Sequence, residues 1–171
     1  MSLPVDLEPI VGAQKLFDWF GYWPDFHDSE ILKFQFELGK PIAFTLHTWE
    51  MTNRVDAAGF YETTKHVTVE FRLEGITRLD LQDPWEKSVL LSLGYERIDT
   101  GFRLGLTSAY GLCGEIEAEK VSLYVNPGKP SYSLPNSSNT GSRRPRTRRL
   151  FPPSVKMTIS FDPSLRYSAG T

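Results

Sequence analysis

The chain has one cysteine, Cys113, only three histidines, and no unbroken apolar stretch long enough to cross a bilayer. A lone thiol excludes an internal disulfide and a thiolate metal cluster, and it fits a reducing compartment; beside Gly114 it reads as inert packing. A membrane-spanning helix needs about 18–20 consecutive apolar residues. The opening Met1-Ser2-Leu3-Pro4-Val5-Asp6 turns acidic at once, unlike the basic and then apolar start of a secretory leader. The expectation is a cytoplasmic protein with no membrane partner. No serine or cysteine stands in a Gly-x-Ser-x-Gly elbow, and no two histidines have the helical i, i+4 spacing of a zinc motif. Gly39, Gly75, Gly111 and Gly114 are scattered turn glycines rather than a phosphate-cradling loop. The chain is therefore expected not to be an enzyme and to carry no cofactor.

What is present is enough for one core: 171 residues, 40% of them hydrophobic and 13% aromatic. Charge is unevenly spread. Residues 1–135 hold 12 Lys and Arg against 20 Asp and Glu, a net of −8, whereas residues 136–171 hold 7 against 1, a net of +6. An acidic body repels phosphates and gains little counterion release, so it suits a basic protein better than nucleic acid. The expected organisation is a strand-rich domain over 1–129 and a basic Ser/Pro/Arg-rich tail over 130–171. The tail has too little apolar content to offset its ordering entropy and is expected to be largely disordered. Its Arg143, Arg144, Arg146, Arg148 and Arg149 are either a solvated linker or a nucleic-acid-binding arm. Val155–Phe161 alternates apolar and polar residues, as a late strand docking back would.

In the body, Ile10, Ala13, Phe17 and Phe20 share a helical face, with Pro9 in the first turn and Gly21 as the stop. Period-2 alternation then takes over. Leu32, Phe34, Phe36 and Leu38 lie on one side of the first strand. Ile42, Phe44 and Leu46 oppose Ala43, Thr45, His47 and Trp49 on the next. Glu50–Thr64 reads as an ordered excursion or a long hairpin tip, Val67–Leu73 as a strand, Glu74-Gly75 as a turn and Ile76–Leu81 as a short strand. Asp83-Pro84-Trp85 breaks pairing. Val89–Ile98, Phe102–Ser108 and Glu115–Val125 complete the set. The fold class is α+β, mostly β: one N-terminal helix packed on an antiparallel meander sheet or partial barrel of about seven to eight strands.

Three groups of residues invite a function. Trp23-Pro24-Asp25-Phe26-His27-Asp28 packs aromatics and ionisable groups between helix and sheet. Its structural reading is a cap on the core, with Asp28 accepting backbone donors at a turn and fixing the ring of His27. His27, Asp28, His47 and His66, with Glu30 as a further neighbour, make a metal site conceivable, and the first four are the residues of a hydrolase-like alternative, although strand histidines are more often solvated. Glu115, Glu117 and Glu119 share one face of a strand, where a cationic partner would relieve their repulsion. An ordinary solvated face is the plainer reading.

The run Phe20-Gly21-Tyr22-Trp23-Pro24-Asp25-Phe26-His27-Asp28-Ser29-Glu30 is followed in order by His47-Thr48-Trp49-Glu50-Met51-Thr52, Phe71-Arg72-Leu73-Glu74-Gly75-Ile76 and Ser108-Ala109-Tyr110-Gly111-Leu112-Cys113-Gly114. This series resembles the immunity protein 50 family of bacterial polymorphic toxin systems, over roughly residues 17–125. The resemblance implies a small cytosolic protein, encoded beside a toxin, that binds and neutralises it without catalysis. Trp23, Phe26, His27 and Asp28, as motif positions, then join Glu115, Glu117 and Glu119 as candidates for contact with the toxin.

Overall fold

Alternation in the body does become sheet, but three of the pairings join strands distant in sequence. The computed structural model describes residues 2–83 and 88–130, together with strand backbone at 156–160. Pro84, Trp85, the Arg143–Arg149 cluster, Val155 and Phe161 lie outside the described residues. Among those described, one α-helix, α1 (Ala13–Phe20), precedes β1 (Glu30–Gln35), β2 (Ile42–Val55), β3 (Tyr61–Gln82), β4 (Ser88–Ile98), β5 (Gly101–Tyr110), β6 (Cys113–Pro127) and β7 (Lys156–Ser160). The expected mostly-β class, with a single N-terminal helix against an antiparallel sheet, is what forms.

Ala13, Leu16, Phe17 and Phe20 bury the inner face of α1, and Gly21, left-handed at φ 85°, closes it with a 2.7 Å bond from its N–H to the Phe17 carbonyl. The helix starts later than Pro9. Residues 9–12 serve another purpose: Val11 bridges Ser122 of β6 and accepts the Leu123 N–H at 2.7 Å. Gly12 at φ 86° lets this crossing happen, since a Cβ there would run into the Leu123 carbonyl oxygen.

β1–β2–β3 and β4–β5–β6 are each sequential hairpins. The expected plain meander ends there, because β3 lies beside β6, from Val67↔Pro127 to Gln82↔Cys113, and not beside β4. The halves meet again where β1 pairs β4 through Glu30↔Val89 and Ile31↔Ser88. The predicted turn at Glu74-Gly75 is instead a bend within one strand: Gly75 takes φ 65°, the register slips between Ile76 and Arg78, and β3 continues to Gln82. The late strand does dock back, with β7 pairing β3 from Arg78↔Ser160 to Gln82↔Lys156.

The interior is built from Ile42, Phe44 and Leu46 of β2, Val67, Val69, Phe71 and Leu73 of β3, and the facing apolar residues of β4–β6. Phe44 and Phe71 stack at 4.7 Å with 4° between their planes. One predicted face fails. A bulge between Ile31 and Lys33 turns β1, so Ile31, Phe34 and Phe36 pack inward while Leu32 is 36% and Leu38 78% exposed.

Candidate functional site

Residues 23–29 form a strap that carries the edge of β1 onto β4. The Asp28 N–H donates to the Leu90 carbonyl and the Leu90 N–H to that of Ser29, both at 2.9 Å; the Leu93 N–H donates to the Asp25 carbonyl at 3.3 Å. Phe26, 1% exposed, meets Trp23 at 6.0 Å and Phe71 at 5.6 Å, edge to face, and Trp23 meets Tyr95 at 5.8 Å. Phe26 and Asp28 take left-handed φ values of 60° and 61°, a conformation that costs a non-glycine residue and persists because these contacts enforce it. The Asp25 carboxylate accepts the His27 N–H at 3.0 Å. His27 and Asp28 face water as a 3.1 Å pair, with side chains 56% and 43% exposed. Of the motif, then, Phe26 is enclosed and Trp23 half-buried, while His27 and Asp28 are accessible.

His47 and His66 do come together, with His47 Nε2 to His66 Nδ1 at 3.1 Å and the rings 5.2 Å apart. His47 is buried at 7% exposure rather than solvated on a polar face as its parity suggested. The cause is a register shift between Thr48 and Glu50, which lets Trp49 close over both rings at 4.9 and 5.9 Å. Thr63 Oγ1 holds the second ring nitrogen of His66 at 3.0 Å, and His47 Nδ1 is buried with no partner among the described residues. Burial, the neighbouring His66 and Lys129 push the His47 pKa down against the pull of the Glu30 carboxylate; burial and Lys129 lower that of His66. With folded pKa values below the unfolded value of about 6.5, the unfolded chain binds more protons at mildly acidic pH. Stability is accordingly complete above about pH 7 and falls as pH drops through about 6.5. Urea midpoints should be lower at pH 5 than at pH 7.5, and the difference should shrink in His47→Gln/His66→Gln.

The acidic row on β6 is not a run of unopposed charges. Arg103 of β5 donates to Glu117 Oε1 from Nε at 3.0 Å, and its other nitrogens reach Glu117 and Glu96 at 2.9 Å. Arg78 of β3 lies 3.7 Å from Glu115, 3.7 Å from Asp80 and 3.8 Å from Glu117. Charges thus alternate across four strands in the register Glu96↔Arg103↔Glu117↔Arg78. Glu117, 15% exposed, is the centre, and Glu119 is the member that remains outward. Cross-strand arginines within the sheet already relieve the repulsion at Glu115 and Glu117. Glu117→Gln should cost about 1 kcal/mol in low salt and less in high salt, read from thermal melts at two ionic strengths.

The least anticipated surface is an arm. β1 follows β2 only as far as Glu30↔His47, and β6 follows β3 only as far as Val67↔Pro127. Beyond these points, β2 and β3 run on as a two-stranded ribbon to Val55↔Tyr61. Its turn is well made: Asp56 Oδ1 accepts the N–H groups of Ala58 and Phe60 at 2.8 and 3.0 Å. The arm's base is tied to the end of α1. Trp19 Nε1 donates to the Lys65 carbonyl and Lys65 Nζ to that of Phe20, both at 2.9 Å, and Lys65 reaches Glu50 at 3.2 Å. The turn residues Asp56 and Gly59 flanked by Val55 and Phe60-Tyr61 were the sequence signal for this hairpin.

No group of three or more His, Cys, Asp and Glu side chains among the described residues is disposed to share a metal ion. His27–Asp28 and His47–His66 stand as pairs and do not assemble the four-residue constellation of the hydrolase alternative. No helix among the described residues is long and apolar enough to cross a membrane. Compared with known proteins, the chain matches no family model, no curated protein and no solved structure.

Proposed function

We propose that this chain is an immunity protein that binds a cognate bacterial toxin in the cytoplasm and neutralises it by covering its surface, without chemistry of its own. The observation that carries the reading is the use made of the Trp23–Asp28 string that underlies the resemblance. Its rings and backbone lace the sheet shut, and its accessible pair, His27–Asp28, belongs to no group of three metal-ligating side chains among the described residues. Support also comes from the net charge of −8 over residues 1–135, which favours encounter with a cationic protein. The sheet itself we read as a partial barrel whose closing seam is the strap of residues 25–29.

Co-expression with the toxin encoded beside it tests the proposal: growth should be rescued, and the two proteins should purify together. Turnover by the isolated chain that disappears in His27→Ala, with the fold intact, would overturn it.

A further inference from the structure

We infer that the β2–β3 arm is the element that engages the toxin, entering a cleft with an apolar floor and a basic rim; this rests on the immunity reading above. The arm is amphipathic, and among the described residues nothing packs on its apolar side. Met51 pairs Thr63 and Val55 pairs Tyr61. Cross-strand partners share a face, as do Tyr61 and Thr63 two residues apart, so Met51, Val55 and Tyr61 project together. They are 51%, 55% and 59% exposed, and Phe60 at the tip is 71% exposed. The polar residues of the arm are Glu50, Thr52 and Arg54 on β2 and Glu62 and Thr64 on β3. An isolated two-stranded ribbon is marginal in water. This one is nonetheless held by the Asp56 turn and by the Lys65 and Trp19 bonds to α1, so it is preformed for docking and loses little entropy on binding.

Area and charge choose the occupant. The four apolar side chains expose on the order of 400 Å² in all, about half of the roughly 800 Å² per partner that a stable interface covers. Two arms laid face to face therefore make too small a contact for a dimer of this chain. A cleft that grips both faces and both free edges of the ribbon reaches the required area. Beyond the Glu50–Lys65 pair the arm carries Asp56 and Glu62 against Arg54, and together with the −8 net charge of residues 1–135 this calls for basic walls in that cleft. Among the described residues no third strand pairs with residues 50–55 or 61–64, and these edges add backbone donors and acceptors for such walls.

The experiment uses the full chain and the purified toxin from the adjacent gene, with affinity measured by calorimetry. Phe60→Ser/Tyr61→Ser should weaken binding at least 100-fold with an unchanged melting temperature, both side chains being exposed. In the wild-type complex, hydrogen exchange of the amides of residues 50–64 should slow at least 10-fold. A wild-type complex whose affinity survives the double substitution, or whose arm amides exchange as in the free protein, overturns the arm while leaving the immunity reading standing. Absence of any wild-type complex overturns both.

Discussion

Phe26→Ala is expected to remove about 3–5 kcal/mol of stability, out of the roughly 5–15 kcal/mol typical of a domain. At about 2–4 °C per kcal/mol for a chain of this size, the melting temperature should fall by roughly 10–15 °C. Phe26 is 1% exposed and touches both Trp23 and Phe71, so truncation leaves a void at the seam between β1 and β4 and withdraws the aromatic contact that holds a left-handed residue in place. The same substitution in Phe71→Ala should cost less than in the wild type, because the two rings share one contact. Tryptophan fluorescence against urea reads all of these. A loss below about 1 kcal/mol would mean that the strap does not hold the sheet closed.

The second large effect is expected at Gly12. Gly12→Ala places a methyl against the Leu123 carbonyl oxygen and demands φ 86° of an L-residue. The left-handed conformation alone costs about 1–2 kcal/mol. Relieving the clash breaks the Val11–Ser122 bridge and the Leu123 N–H bond to Val11, so the total should be about 3 kcal/mol. Gly21→Ala is the control: it has the same sign of φ, at 85°, but open space around the added methyl. It should lose only the conformational part. Equal losses at the two positions would show that close approach to β6 contributes nothing.

Much of this architecture was legible in the residues. The α1 face and the alternation of β2 and of Val67–Leu73 in β3 all follow from period, which is a local property. The misses are local rules overridden by distant partners. Glu74-Gly75 looks like a turn by composition, yet β6 supplies a continuous ladder past it, so the glycine becomes a bend. Leu32 looks buried by parity, and a single bulge turns it outward. His47 looks solvated by parity, and Trp49 covers it after a slip of register. The pairing of β3 with β6 and of β1 with β4 joins residues far apart in the chain, which no window of sequence reports. Glu115, Glu117 and Glu119 were visible as a row, but Arg78 and Arg103 stood on other strands. The arm was half visible, since Glu50–Thr64 read as a long hairpin tip, while its lack of flanking strands could be known only from where β1 and β6 stop.

The length of β3 imposes an order on synthesis. Its lower half waits for β6, whose first residue, Cys113, is made 31 positions after Gln82. At roughly 5–20 residues per second, the nascent chain carries a bare strand edge for a few seconds. Once β6 arrives, that edge is covered from Val67 to Gln82 and gives aggregating neighbours no template there.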